Sequence, residues 1–253
     1  MANEETEKRK KVLETLLAEK DWKQSTSGIF LGGSVAYGPE YGVRKDSDID
    51  LVLITNDFLP LLRTFKNHEQ YEHILKNRFF EGICLKFEQD GIPVSVHILT
   101  EDALDIIAKC FVADLRLLRE GGKAGTYLLR GFEGQEYPYS VKNIPLEKAQ
   151  GFYRTIVPIS FINNDRYFIG IHRDKLMSNP QIIYDPHGII ERAIDKTWNV
   201  MMKNFIDESR RLYGTVDPSR MSIARALVKF NAMDDDVQKS IQEKERAYLA
   251  MLT

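Results

Sequence analysis

The chain has 253 residues, 43% of them hydrophobic and 28% charged, which suits one large domain or two small ones able to bury a core. A formal net charge of -2 provides no global basic field, so a nucleic-acid partner is not favoured. No stretch reaches the roughly 18 apolar residues of a membrane span, and Met1 to Lys11 is charged without an apolar core, so no membrane partner and a cytoplasmic location are expected.

Residues 4–20 are rich in Glu and Lys, and Val12, Leu13, Leu16 and Leu17 make a helical stripe, the mark of a surface-packed first helix. Gly28 to Leu31 reads as a short strand running into a Gly-Gly-Ser turn, and Asp50 to Thr55 as a buried strand. Residues 57–78 read as helix. Ile83 to Phe87 and Val94 to Leu99 follow as strands, joined by Gln89-Asp90-Gly91, whose Asp-Gly pair favours a tight hairpin. Glu101 to Arg119 is an amphipathic helix, with Thr100 as N-cap and Gly121-Gly122 as stop signal. Residues 126–145, rich in Gly, Pro and Tyr, read as irregular, and residues 147–162 as beginning helically. Tyr167 to His172 and Gln181 to Tyr184 read as short strands. Gly188 to Leu212, Pro218 to Asn231 and Asp235 to Leu252 carry helical spacing. A boundary near Gly121 to Thr126 divides the chain into domains 1–122 and 123–253. Cys84 and Cys110 lie in apolar runs without metal-ligand spacing and read as buried thiols.

The chemistry concentrates in Gly32-Gly33-Ser34 and Asp46-Ser47-Asp48-Ile49-Asp50. Alternate strand residues share a face, so Asp48 and Asp50 project together while Ile49 and Leu51 enter a core. Two carboxylates this close repel, and a divalent cation relieves the repulsion. Magnesium commonly takes one or two carboxylates together with phosphate oxygens and water. Glycines let the backbone approach a phosphate closely, and Ser34 adds a hydroxyl donor. Arg44 and Lys45, just before the acids, are candidates for neutralising phosphate.

Gly33-Ser34, a thirteen-residue spacer and Asp48-Ile49-Asp50 resemble the signature of the DNA polymerase β-like nucleotidyltransferase superfamily. The wording Ala36-Tyr37-Gly38 and Asp46-Ser47-Asp48-Ile49-Asp50-Leu51 is most similar to its small bacterial members, the aminoglycoside and lincosamide nucleotidyltransferases, over residues 25–100. The resemblance implies an α+β nucleotidyltransferase fold: a small mixed sheet flanked by helices, then a mainly helical C-terminal domain. It implies transfer of a nucleoside monophosphate from an NTP, ATP first, to a hydroxyl acceptor with release of pyrophosphate. Asp48 and Asp50 would hold two magnesium ions, and Gly33 and Ser34 the triphosphate. The chain's lack of positive charge makes a small hydroxylated acceptor the first expectation and a tRNA or protein the second.

The family's third carboxylate has no counterpart. Pro93-Val94-Ser95-Val96-His97 places Ser95 where that Asp is expected, with His97 on the same strand face. His97 as base, a carboxylate from Glu88 or Asp90, and a site that binds nucleotide without efficient turnover are the three alternatives. His172-Arg173-Asp174-Lys175-Leu176-Met177-Ser178-Asn179 has the spacing of a protein-kinase catalytic loop but none of its companion motifs, and reads as a turn whose charges contact an acceptor. Tyr127, Phe132, Tyr137 and Tyr139, interleaved with Arg130 and Lys142, form an aromatic connector able to stack a ring. Lys196, Lys203, Arg210 and Arg211 lie on a C-terminal helix of undetermined facing.

Overall fold

A computed structural model of the chain describes residues 4–36, 43–65, 70–76, 81–114, 127–130, 139–141, 144–145, 162–214 and 235–252. Helix α1 (Glu4–Lys20) leads through a short helical turn (Trp22–Ser25) into β1 (Gly28–Gly32), α2 (Gly33–Ala36) and β2 (Ile49–Ile54). Next come α3 (Phe58–Leu62), β3 (Gln70–Lys76), β4 (Glu81–Gln89), β5 (Ile92–Leu99) and α4 (Glu101–Lys109). They are followed by β6 (Phe111–Asp114), β7 (Tyr127–Arg130), β8 (Tyr139–Val141) and β9 (Ile144–Pro145). The C-terminal part holds α5 (Ile162–Met177), β10 (Gln181–Tyr184), α6 (Ile189–Tyr213) and α7 (Asp235–Leu252).

The architecture is α+β. One sheet runs β10-β1-β2-β5-β4-β3-β8, with β9 also on β3, and β6 pairs separately with β7. The sheet is mixed: β2 and β5 are parallel, whereas β1–β2 and β4–β5 are antiparallel. The strand period of two divides the core between its faces. Ile49, Leu51 and Leu53 pack with Val12, Leu13 and Leu16 of α1 and Phe58, Leu61 and Leu62 of α3. Val52 and Ile54 pack on the other face, with Leu104 and Ile107 of α4, Ile169 and Leu176 of α5, and Ile190 of α6. Each such fully buried aliphatic side chain contributes about 1.5–3 kcal/mol. Asp50 is in phase with Val52 and Ile54, so its carboxylate lies on the α5 side.

Several expectations hold. The α1 stripe is buried at Val12, Leu13 and Leu16. Asp90 and Gly91, with φ of 52° and 73°, form the two-residue turn of the β4–β5 hairpin, a conformation Asp-Gly tolerates well. Thr100 caps α4, its hydroxyl accepting from the Ala103 amide at 3.1 Å. Gln181–Tyr184 is a strand, and 189–213 and 235–252 are helices. Cys84 and Cys110 are buried, and burial pushes the Cys110 thiol up to about 12.

Others need correction. Residues 57–78 are not one helix: α3 ends at Leu62, and Gln70–Lys76 is a strand paired to β4, Ile74 opposite Ile83. The open edge of β4 supplies a backbone ladder that overrides the local helical pattern. Tyr167 to His172 is not a strand but part of α5. Ile169, His172 and Leu176 are buried at helical spacing, which wins over the local aromatic and β-branched composition. The helix expected to reach Arg119 stops at Lys109, where Cys110 turns extended and β6 begins. The irregular stretch 126–145 contains β7, β8 and β9. The helices expected in 147–161 and 218–231, the Gly121-Gly122 stop and the boundary at 121–126 lie outside the described residues. Strands from both sides of that boundary share the main sheet.

Candidate active site

The glycine turn and the acid pair meet because β1 and β2 are neighbours: Gly32 lies opposite Asp50, and Asp50 lies beside Ser95 of β5. Gly33, with φ of +67°, turns the chain out of β1. A Cβ at Gly33 would stand 2.1 Å from Asp50 Oδ2, so the close approach of this backbone to the carboxylate requires glycine. Ser34 is buried beside it.

The acids are held differently. Asp48 Oδ2 accepts a 2.8 Å hydrogen bond from the buried Ser95 hydroxyl. Asp50 Oδ1 lies 2.7 Å from Lys175 Nζ and 3.4 Å from His97 Nε2. His97 Nδ1 is in turn 3.1 Å from His172 Nε2, and Cys84 Sγ is 3.9 Å from His97 Nε2. Lys175 reaches the acid by laying its aliphatic stem on Gly32, where a Cβ would stand 3.0 Å from its Cγ. Asn179, just past α5, donates to the Ala36 carbonyl at 3.1 Å, so α5 is anchored to the glycine turn as well.

These contacts set the charge state. Burial opposes ionisation of Asp50, but the Lys175 ammonium and the His97 ring outweigh it and hold the carboxyl far below its usual range. Burial, reinforced by the Lys175 charge, lowers the His97 pKa against the pull of Asp50 and Asp48, favouring the neutral ring. A neutral His97 satisfies both neighbours by donating from Nε2 to Asp50 and accepting at Nδ1 from His172. Its ring thereby positions Asp50. Action as a base requires release of one of those bonds.

The loop before the acids is fixed by a residue the sequence reading missed. Arg9, 1% exposed on α1, donates to the carbonyls of Ser47 at 2.8 Å and Lys45 at 2.9 Å, and pairs with Glu5 at 2.6 Å. The loop closes on itself through the Ser47 amide and Arg44 carbonyl, 3.0 Å. Arg44 points outward to Asp46 at 3.2 Å, both more than 70% exposed, and Lys45 is also exposed. Arg9 therefore fixes the loop backbone, while the side chains of Arg44 and Lys45 extend from it. Only its position in a Glu/Lys-rich helix was available in the sequence, and that reads as solvent-facing.

Glu88 shares the Ser95 face of the sheet but lies exposed opposite Pro93, with β5 between it and Asp48, two strand spacings of about 4.8 Å each. Asp90 sits at the hairpin tip. The segment 172–179 is the larger surprise: it is helix end rather than turn, and it delivers Lys175 to Asp50 and His172 to His97. Its charge was the usable signal. Arg173 pairs with Asp174 within the helix. Lys196 pairs with Asp105 of α4, and Lys203 and Arg210 are exposed. Tyr127 and Arg130 lie on β7 and Tyr139 on β8; the side chains of the aromatic connector and of Arg211, and Tyr37 and Gly38, lie outside what is described.

Asp48 and Asp50 supply two hard oxygen donors, with Asp50 held ionised, the donor type that suits magnesium together with phosphate oxygens and water. Among the described residues no three His, Cys, Asp or Glu side chains gather as a metal cage. No helix among them is long and apolar enough to cross a membrane. No known family model matches the chain, and no curated protein matches it.

Proposed function

We propose that the chain has the nucleotidyltransferase fold its motif resembles and transfers a nucleoside monophosphate from an NTP, ATP first, to a hydroxyl of a small molecule. One observation carries this reading. Gly33 and Asp50, distant in sequence, touch so closely that no side chain fits between them, beside a second carboxylate, Asp48, held by Ser95.

In the reaction an acceptor hydroxyl oxygen bonds to the α-phosphorus and gives up its proton to water, the bond to the β-phosphate oxygen breaks, and pyrophosphate leaves with the electron pair. Magnesium, when bound, neutralises phosphate charge. Asp48 and Asp50 would hold it, the former oriented by Ser95 and the latter by His97. The Gly33-Ser34 backbone and hydroxyl face the triphosphate, and Lys175 adds a fixed positive charge. Catalysis is then mainly positioning and charge stabilisation.

The test is incubation with magnesium, an NTP labelled at the α-phosphate and a panel of hydroxylated small molecules. A labelled adduct and pyrophosphate are expected. Asp48→Ala and Asp50→Ala should each reduce turnover by about a hundredfold or more. Wild-type rates in either folded variant would overturn the reading. Ser95 in place of a third acid favours a second reading, a nucleotide-binding module without efficient turnover. Mg·NTP binding without pyrophosphate release across the panel would select it.

A further inference from the structure

We propose that Lys175 is the second cation of this site, fixed on Asp50, and that the protein therefore binds its nucleotide with one divalent ion where the motif resemblance implies two. The inference rests on the nucleotide-binding reading above.

Lys175 is not a surface lysine that happens to lie nearby. Its side chain is 8% exposed, and its ammonium is 2.7 Å from Asp50 Oδ1. Its stem runs over Gly32, the residue directly opposite Asp50, through a passage that any Cβ would narrow. The helix carrying it is tied down on both sides of Lys175, by His172 to His97 and by Asn179 to Ala36. A second metal on Asp50 would therefore have to displace a buried ammonium and sit against its positive charge. The acid that would help recruit such an ion is also replaced. Ser95, beside Asp50, is neutral and donates to Asp48 instead of supplying a ligand. One loss and one gain point the same way: a carboxylate fewer and a cation more reduce the site's demand for divalent charge. The ammonium differs from an ion in one respect that matters, since it cannot exchange with solvent and is present before nucleotide arrives.

Manganese counting by electron paramagnetic resonance, with an α,β-methylene NTP analogue bound, tests this without any turnover. One Mn²⁺ per analogue-loaded chain is expected. Lys175→Met, which keeps the stem and removes the charge, should weaken the analogue about tenfold or more, while Lys175→Arg retains part of the affinity. Two Mn²⁺ per loaded wild-type chain would overturn the inference and leave the nucleotide reading standing. Wild-type analogue affinity in folded Lys175→Met would do the same. Absence of analogue binding to the wild-type protein would remove the nucleotide reading and this inference with it. If Lys175→Met does not fold, the wild-type ion count decides alone.

Discussion

Gly33 carries two constraints at once, a left-handed φ and a carboxylate where its side chain would be. Gly33→Ala should therefore cost at least about 1–2 kcal/mol from the backbone alone, before the clash with Asp50 is counted. Urea denaturation would show the loss, and calorimetry should show Mg·NTP affinity falling with it. Unchanged stability would mean that the turn relaxes freely. The pairing of this glycine with the acids was visible in the sequence, because motif residues announce themselves by type and spacing. Lys175 and His172 were visible as members of a charged segment, but not as partners of Asp50 and His97. Nothing in a local pattern says which face of a distant helix meets a given strand.

At the scale of elements, α4 shows how local chemistry sets a boundary. Thr100 caps it, Glu101 and Asp102 complement its N-terminal dipole, and Lys109 closes its last turn. Thr100→Ala should lower stability by about 1 kcal/mol, measured by thermal denaturation, with nucleotide binding unchanged because the cap lies past the end of β5 opposite to Ser95 and the acids. That start was readable in the sequence. The end was not, since the pairing of Phe111 to Asp114 with Tyr127 to Arg130 depends on residues a dozen or more positions away. The same reason explains β3, whose strand conformation is decided by β4, and α5, whose helical burial is decided by the sheet beneath it. Short apolar runs are ambiguous between strand and helix until a partner is present.

For the whole molecule, the charged site is buried between the sheet and α5, so stability depends on pH through it. His97 has a folded pKa below its ordinary 6.5, so the unfolded chain takes up that proton first and stability is lost as pH falls through about 6.5. Asp50 has a folded pKa below its ordinary 3.8, so its contribution is present above that value and is lost as pH falls further. Both act in the same direction. In metal-free protein, denaturation midpoints should fall between pH 7 and 5, and less steeply in His97→Gln. The gap between wild type and Asp50→Asn should close only in stronger acid. A His97→Gln profile parallel to wild type would refute the first assignment.

The sequence by itself determined the acid pair, the glycine turn, the first helix, the hairpin and the α4 cap, because each rests on residue chemistry within a few positions. The tertiary structure alone decided that Arg9 holds the acid loop, that Ser95 bonds Asp48, and that α5 places Lys175 on Asp50. Those contacts join residues from 36 to more than 100 positions apart. Their partners are chosen by sheet order and helix packing, which no local pattern encodes.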